Sequence, residues 1–288
     1  MVEDCVDKGN LGLVRCNKLP AMLKGMITTP PGFSITEANA ALPAFWQARL
    51  QDVKASRLYL WPEFDKVEDV STDAAYDESP LSELVADPGK YKWKAMISQN
   101  LCTHKAMFTH SGKGDRVFLW DVKNNLIGTR LSNGNFAGFK LSLLNAEKLK
   151  FGNGSEGTYS PVYIVLRDHL ELDKNGMMLS GNLVNELTSI IDVTLTVIGT
   201  PSSSAIVVEA ELTCDGTALV GLIAADFLVL TTAGGAQAKT SLESTTIPGR
   251  YTLTASTSFT DGTLALVPSA SISVDAYESV AAVAIDVP

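Results

Sequence analysis

The residues Gly152-Asn153-Gly154-Ser155-Glu156-Gly157 have the spacing of a dinucleotide-binding turn. In such a turn, glycines let the backbone approach a pyrophosphate held at a helix N-terminus, which requires a strand before the loop and a helix after it. Here the loop runs into Thr158-Tyr159-Ser160-Pro161-Val162-Tyr163-Ile164-Val165-Leu166, which reads as a strand. The glycines are therefore expected to serve a hairpin turn, and no cofactor is expected. Asn153-Gly154-Ser155 is also a glycosylation sequon, but no signal peptide is legible to bring it to the required compartment. Cys102-Thr103-His104 with His110 is the next constellation. On a strand, residues 102 and 104 would share a face, which suits a Cys–His pair or part of a metal site. No third ligand or orienting acid falls at a fixed spacing, so packing of a strand face is the expected role. Asp168, Glu171 and Asp173 precede Asn175-Gly176 without the order of acids and glycine that an EF-hand needs, and read as a solvated turn. With three histidines and no G-x-S-x-G elbow, hydrolytic chemistry has no support. No catalytic, cofactor-binding or metal-ligating residue is assigned, and the chain is not expected to be an enzyme.

The composition agrees with a folded chain lacking a basic grip. Apolar residues make up 45% and charged residues 19% of the 288 positions, the balance of a globular protein rather than a disordered one. Lys plus Arg number 23 against 32 acids, for a net charge of -9, so phosphate neutralisation over a basic face is not expected. Phe136 to Leu144 with Lys148, Lys150 and Phe151 mixes aromatic and basic residues, but the same alternation describes a half-buried strand with lysines on its wet face. The four cysteines, Cys5, Cys16, Cys102 and Cys214, form no C-x-x-C pair and are expected to be reduced, partly buried thiols. The acidic start Met1-Val2-Glu3-Asp4 is not a secretory signal. No apolar run approaches the roughly 20 residues of a membrane span. A cytosolic chain, or one exported without an N-terminal mark, is the expectation.

Two halves of different chemistry position these residues. The segment Gly199-Thr200-Pro201-Ser202-Ser203-Ser204 reads as a linker over 200–204. All four tryptophans and all three histidines precede it, and the residues after Pro201 carry two cations against nine acids, a net of -7. In the first half, an arm over 1–33 is followed by a β domain over 34–199. Ser34-Ile35-Thr36-Glu37 reads as a capping box opening a helix through Ala41, and Pro43 begins a second helix reaching Lys54. Ser79-Pro80 reads as the start of a third, stopped by Asp87-Pro88-Gly89. Strands are expected at 91–98, 104–110, 116–122, 126–131, 136–144, 159–166 and 188–198. The acidic stretch from Leu60 to Tyr91 is expected to be a long loop. Its Trp61, Phe64 and Tyr76 should pack either on the chain's own sheet or on a neighbouring subunit. The fold class expected is mainly β: an N-terminal antiparallel β-sandwich or barrel with one to three short helices, and a C-terminal immunoglobulin-like β-sandwich over 205–288.

The second half rests on strands at 205–212, 226–230, 250–255, 263–267, 270–274 and 280–287, separated by turns such as Asp215-Gly216 and Asp261-Gly262. The run Thr213-Cys214-Asp215-Gly216-Thr217-Ala218-Leu219-Val220-Gly221-Leu222, with Pro248-Gly249-Arg250-Tyr251-Thr252-Leu253-Thr254, resembles bacterial Ig-like modules. Such modules occur on bacterial surface proteins and at the ends of phage virion proteins.

A further resemblance lies in the first half. It runs from the hairpin Arg116-Val117-Phe118-Leu119-Trp120-Asp121 and Leu126-Ile127-Gly128-Thr129-Arg130 through a Gly-Phe-Lys strand to the strand Tyr159–Leu166. In this order it resembles major tail tube proteins of long-tailed bacteriophages. That resemblance implies a virion structural protein assembled in the host cytoplasm. Its partners would be copies of itself in hexameric rings stacked into a tube, together with other virion tail proteins. DNA would pass transiently without specific binding, and no membrane would be involved. The Ig-like domain would be displayed outside. It also makes Trp61, Phe64 and Tyr76 candidate inter-subunit contacts. A capsid or head-decoration protein, or a cell-surface adhesion or glycan-binding module, are the competing expectations.

Overall fold

Val117 and Leu119 alternate with Phe118 and Trp120, and all four are large and apolar, so a strand built from them must bury both of its faces. The computed structural model places them that way. It describes residues 2–3, 20–79, 82–87, 89–154, 157–181, 183–267, 270–272 and 275–288. The chain divides into two compact units, residues 1–187 and 188–288, and both are mainly β as expected.

In the first unit, the strand Arg116–Asp121 is buried along its whole length. It pairs antiparallel with Leu23–Thr29 on one side, and with Leu126–Arg130 and the start of Phe139–Ala146 on the other. The sheet continues from Leu126–Arg130 to Gly176–Leu179 and Val2–Glu3. From Phe139–Ala146 it continues through Ser160–Leu166 and Lys92–Ile97 to Lys66–Asp69. Val117, Leu119, Met26 and Ile127 pack into one core with Trp93, Ile97, Leu144 and Ile164. Phe118, Trp120, Ile27 and Leu126 point the other way, into a second core closed by Trp46, Leu50, Leu183 and Val184. The helices Glu37–Ala40 and Pro43–Leu50 thus cover one face of the central sheet, while the sheet's own continuation covers the other. Trp46 packs edge-on against Phe118 at 5.1 Å and donates its indole N–H to the Ala40 carbonyl at 2.9 Å, which joins the two helices.

The ends of the central strand are satisfied by polar groups. The fully buried Asp121 accepts from the backbone of Lys123 and Asn125, from the Asn125 side chain, and from the Ala21 amide at 3.0 Å. These bonds hold the turn in which Asn124 takes φ 60. At the other end Arg116 donates to the Gly138 carbonyl at 2.6 Å and pairs with Glu171 at 3.2 Å. Gly25 is required where the strands cross: a β-carbon there would lie 2.0 Å from the Trp120 ring.

The second unit is a sandwich. One sheet runs Lys239–Glu243, Arg250–Ala255, Ala205–Leu212, Ile190–Val197, Asp275–Ser279 and Ala270–Ile272; the other runs Phe227–Thr231, Gly262–Leu266 and Val283–Ile285. Ile206, Val208 and Ala210 alternate inward against Val229, Leu264 and Ile285. Tyr251 is fully buried; its hydroxyl donates to the Leu219 carbonyl at 2.7 Å and accepts from the Leu222 amide at 3.1 Å. Burial pushes this phenol up to about 12.

Several expectations are corrected. The strand Ile190–Val197 belongs to the second unit, antiparallel to Ala205–Leu212 and parallel to Asp275–Ser279. Residues 200–204 therefore connect two paired strands and are not a linker between domains. Part of the expected N-terminal arm, Leu23–Thr29, is instead a strand of the central sheet; residues 4–19 of that arm lie outside the described residues. Leu101–His110 is a helix, not a strand, with Asn100 accepting from the Thr103 amide as its N-cap. The capping box at Ser34 is not made. Thr36 is the N-cap without a side-chain bond, because Ile35 bridges to Phe136 and the Ser34 hydroxyl accepts from Asn135 instead. The second helix stops at Leu50. The long loop between Leu60 and Tyr91 is largely strand: Lys66–Asp69 pairs with Lys92–Ile97, and Ala75–Ser79 pairs with Ser82–Asp87. The expected helix after Ser79 loses to this pairing, since so short a helix gains few backbone bonds of its own.

Asp121 gives a stability test. Burial pushes its carboxyl pKa up, but the donors from Ala21, Asn125 and Lys123 outweigh this and hold it below the ordinary 3.8. The unfolded chain therefore takes up the proton first, so the stabilisation is complete above that value and is lost as pH falls through the folded pKa. Asp121→Ala should cost about 3 kcal/mol near neutral pH. In urea melts the gap between the two proteins should narrow below pH 3.8; a gap that stays constant with pH would count against this account.

Candidate functional site

Each expected constellation has a definite place. His104 lies on the helix Leu101–His110, with its Nδ1 2.8 Å from the hydroxyl of the buried Ser160. His110, at the end of that helix, packs its ring on Tyr59 at 4.3 Å and on Trp61 at 6.4 Å. The two histidines thus serve different contacts and do not converge with Cys102. Cys102 and Cys214 are both disulfide-bonded, which overturns the expectation of reduced thiols. Spacing along the chain does not report which sulfurs the fold brings within bonding distance. Asp168, Glu171 and Asp173 turn to three separate partners: the Leu170 amide, the Arg116 guanidinium with the Lys140 amide, and the Tyr91 hydroxyl. Glu171 is thereby a half-buried tie and not a member of a solvated turn. Among the described residues, no group of three His, Cys, Asp or Glu could hold a metal ion.

The glycine loop connects paired backbone, with Lys150 bridging to Tyr159 and the Gly152 amide donating to the Thr158 hydroxyl. It is a turn between strands, as the sequence implies. In the Phe136–Phe151 stretch, Phe136 and Phe139 are buried and Lys140 is exposed, the pattern of a half-buried strand.

Trp61 and Phe64 are both buried in the first unit's own core, and the Trp61 indole donates to the Thr28 hydroxyl at 3.1 Å. Their apolar surface is already removed from water within one subunit, which leaves little of it to meet a neighbour. Tyr76 lies on the hairpin opposite Val85, and its side chain lies outside the described residues.

One concave site stands out in the first unit, a cleft of about 400 Å³ that no sequence motif indicates. The turn after the helix Pro43–Leu50 contributes Lys54 and Arg57, and the turn after Leu101–His110 contributes Lys113 and Asp115. Tyr59 and His110 add their packed rings. Arg57 is only 6% exposed, and its Nε donates to the Asp52 carbonyl at 2.8 Å. The Tyr59 hydroxyl donates to the Lys54 carbonyl at 3.3 Å, and the Asp115 amide donates to the Thr29 carbonyl at 3.1 Å. The neighbouring Asp52 is held below the usual carboxylate range by the Val53 amide and by Arg49. The cleft thus brings cationic, aromatic and acidic side chains from separate turns to one concave surface. A signal at sequence level would have been the clustering of Lys54, Arg57 and Tyr59 just after an amphipathic helix; Lys113 is too distant in sequence to join them.

Compared with protein-family models, curated proteins and solved structures, the chain matches none. Among the described residues no helix is long and apolar enough to cross a membrane.

The disulfides carry a direct test. Cys102 and Cys214 in the native protein should resist a thiol reagent, and labelling followed by peptide mapping should find them modified only after reduction. Labelling of either before reduction would contradict the bonding described.

Proposed function

We propose that the chain is a structural protein that assembles with copies of itself, as the stacked-ring tail tube of a long-tailed phage does, with the Ig-like unit displayed outside. The observation that carries this reading is the hairpin of Ala75–Ser79 and Ser82–Asp87. Among the described residues its strands pair with each other and belong to none of the larger sheets. A two-stranded ribbon is marginal in water by itself and gains stability from a partner surface. It follows in the chain on Lys66–Asp69, the end strand of the sheet among the described residues, and edge strands are the natural joints of sheet-to-sheet assembly. Residues 67–89 carry seven acids and no cation, so a lumen lined by this part of the ring would repel passing DNA rather than hold it. The tube, its stacking and the DNA passage rest on the resemblance of the first half to tail tube proteins, and the hairpin supplies the subunit contact that such a ring needs.

One competing reading has an observation in its favour. Disulfide-bonded Cys102 and Cys214 suit an oxidising compartment, as a surface adhesion module would meet.

Electron microscopy of the concentrated full chain, with light scattering for mass, separates the two. Rings or hollow tubes are expected, and replacing residues 75–87 by a short Gly-Ser linker should return the protein to monomers with both units still folded by circular dichroism. A monomer at every concentration would favour the adhesion reading, and assembly that survives the replacement would remove the hairpin from the interface.

A further inference from the structure

We propose that the strand Lys239–Glu243 of the second unit is a docking edge for an extended acidic segment of a partner protein, which joins the sheet as one more strand. This goes beyond the assembly reading and does not rest on it.

Backbone is the first ground. Lys239–Glu243 is the end strand of its sheet among the described residues, antiparallel to Arg250–Ala255. The Ser256 amide donates to the Ala238 carbonyl at 3.0 Å and the Ser244 amide to the Arg250 carbonyl at 2.7 Å, which fixes the alternation of the ladder. Thr240 and Leu242 therefore bond to Arg250–Ala255, and the N–H and C=O groups of Lys239, Ser241 and Glu243 turn to the other side. Among the described residues no strand meets them there, and no other hydrogen bond takes them up. A row of alternating donors and acceptors of this kind is a template for an added strand.

The side chains select the occupant. Ser241 and Glu243 share the core face with Leu253 and Tyr251 opposite, and Lys239 lies on that face opposite Ala255. Among the described residues no carboxylate pairs with the half-buried Lys239, and burial alone pushes its ammonium pKa down. A cation on the core side of an edge rejects a strand that sets an apolar or basic residue opposite, because its charge then loses water without gaining a partner. A strand that brings a carboxylate to that position compensates the charge instead. The copy of this strand in a second chain is a poor match. Antiparallel pairing of the two would set Lys239 against Glu243, whose carboxylate already accepts from the Gly221 and Gly249 amides at 2.9 and 3.4 Å. On the outer face Leu242 is 74% exposed and offers contact to an aliphatic residue. The segment that fits is extended, with a carboxylate on one face and aliphatic side chains on the other.

Fluorescence anisotropy of the full chain with labelled peptides of alternating threonine and valine, carrying either one glutamate or one lysine, tests the assignment. The glutamate peptide should bind about tenfold more tightly than the lysine peptide, and Lys239→Glu should reverse that preference by a similar factor. Ser241→Pro removes an outward N–H and no ladder bond, which an edge strand tolerates. It should weaken the glutamate peptide by about tenfold with the circular dichroism unchanged; should this variant unfold, the Lys239→Glu reversal still decides. Amide hydrogen exchange locates the event. In the free chain Lys239, Ser241 and Glu243 should exchange fast and Thr240 and Leu242 slowly, and the glutamate peptide should slow the first three. No binding of either peptide up to about 1 mM, an unchanged preference in Lys239→Glu, or protection elsewhere would each overturn the assignment. Slowing of the same three amides on concentrating the chain without peptide would give the edge to a second copy and overturn it too.

Discussion

The strand Arg116–Asp121 has apolar side chains on both faces, and the first unit is organised by the need to cover both. Phe118 and Trp120 require the helical layer with Trp46 and Leu50; Val117 and Leu119 require the sheet to turn back over itself and bring Trp93 and Ile164 opposite. Neither cover works alone, because leaving either pair in water would forfeit about 1.5–3 kcal/mol for each large side chain. A strand buried on both faces also has nowhere to put its polar ends except into designed pairs. Arg116 finds Gly138 and Glu171, and Asp121 collects donors from the turn that follows and from Ala21. Through those ends the strand fixes the small helix Leu170–Asp173, which carries Glu171, and the chain entering at Ala21. The cleft inherits its frame from the same strand, since the turn bearing Lys113 and Asp115 leads directly into it.

The second unit obeys a simpler constraint, a single core between two sheets. Strands such as Ala205–Leu212 and Arg250–Ala255 alternate in and out, and the buried Tyr251 hydroxyl is satisfied from both directions, by Leu219 and Leu222. The simpler constraint made this unit legible. The strands at 205–212 and 250–255 follow from alternation and from the turn residues beside them, and the structure has them at the same bounds. Lys239–Glu243 was not legible, because an edge strand half in water has no apolar run to announce it. The placement of Ile190–Val197 was misjudged for a different reason. Gly-Thr-Pro-Ser composition marks a break in regular structure equally well between domains and between two paired strands, and only the pairing of 190–197 with 205–212 decides which.

In the first unit the misreadings share a cause: local pattern competes with tertiary demand. Leu101–His110 has threonines, histidines and a phenylalanine that favour strands, and only Met107 is buried, so its periodicity is faint. The one local sign of a helix was Asn100, placed to cap the Thr103 amide. The reverse occurred after Ser79, where a sound N-terminal helix signal yields to the partner strand 75–79. The functional candidates suffered most. Cys102, His104 and His110 are neighbours in sequence, and reading them as a strand placed them on one face; the helix sends His104 to Ser160 and His110 to Tyr59.

Burial also decides what can be an interface. Trp61 and Phe64 are the kind of side chain that dominates protein–protein contacts, but their value lies in transfer from water, and within this subunit that transfer is complete. Among the described residues, what is left for a neighbour is therefore backbone and charge: the end strand Lys66–Asp69, the hairpin of Ala75–Ser79 and Ser82–Asp87, and the acids that run along both. An interface of that composition draws its specificity from strand register and charge complementarity more than from apolar area. It would be sensitive to salt in a way that a joint built on buried tryptophan is not.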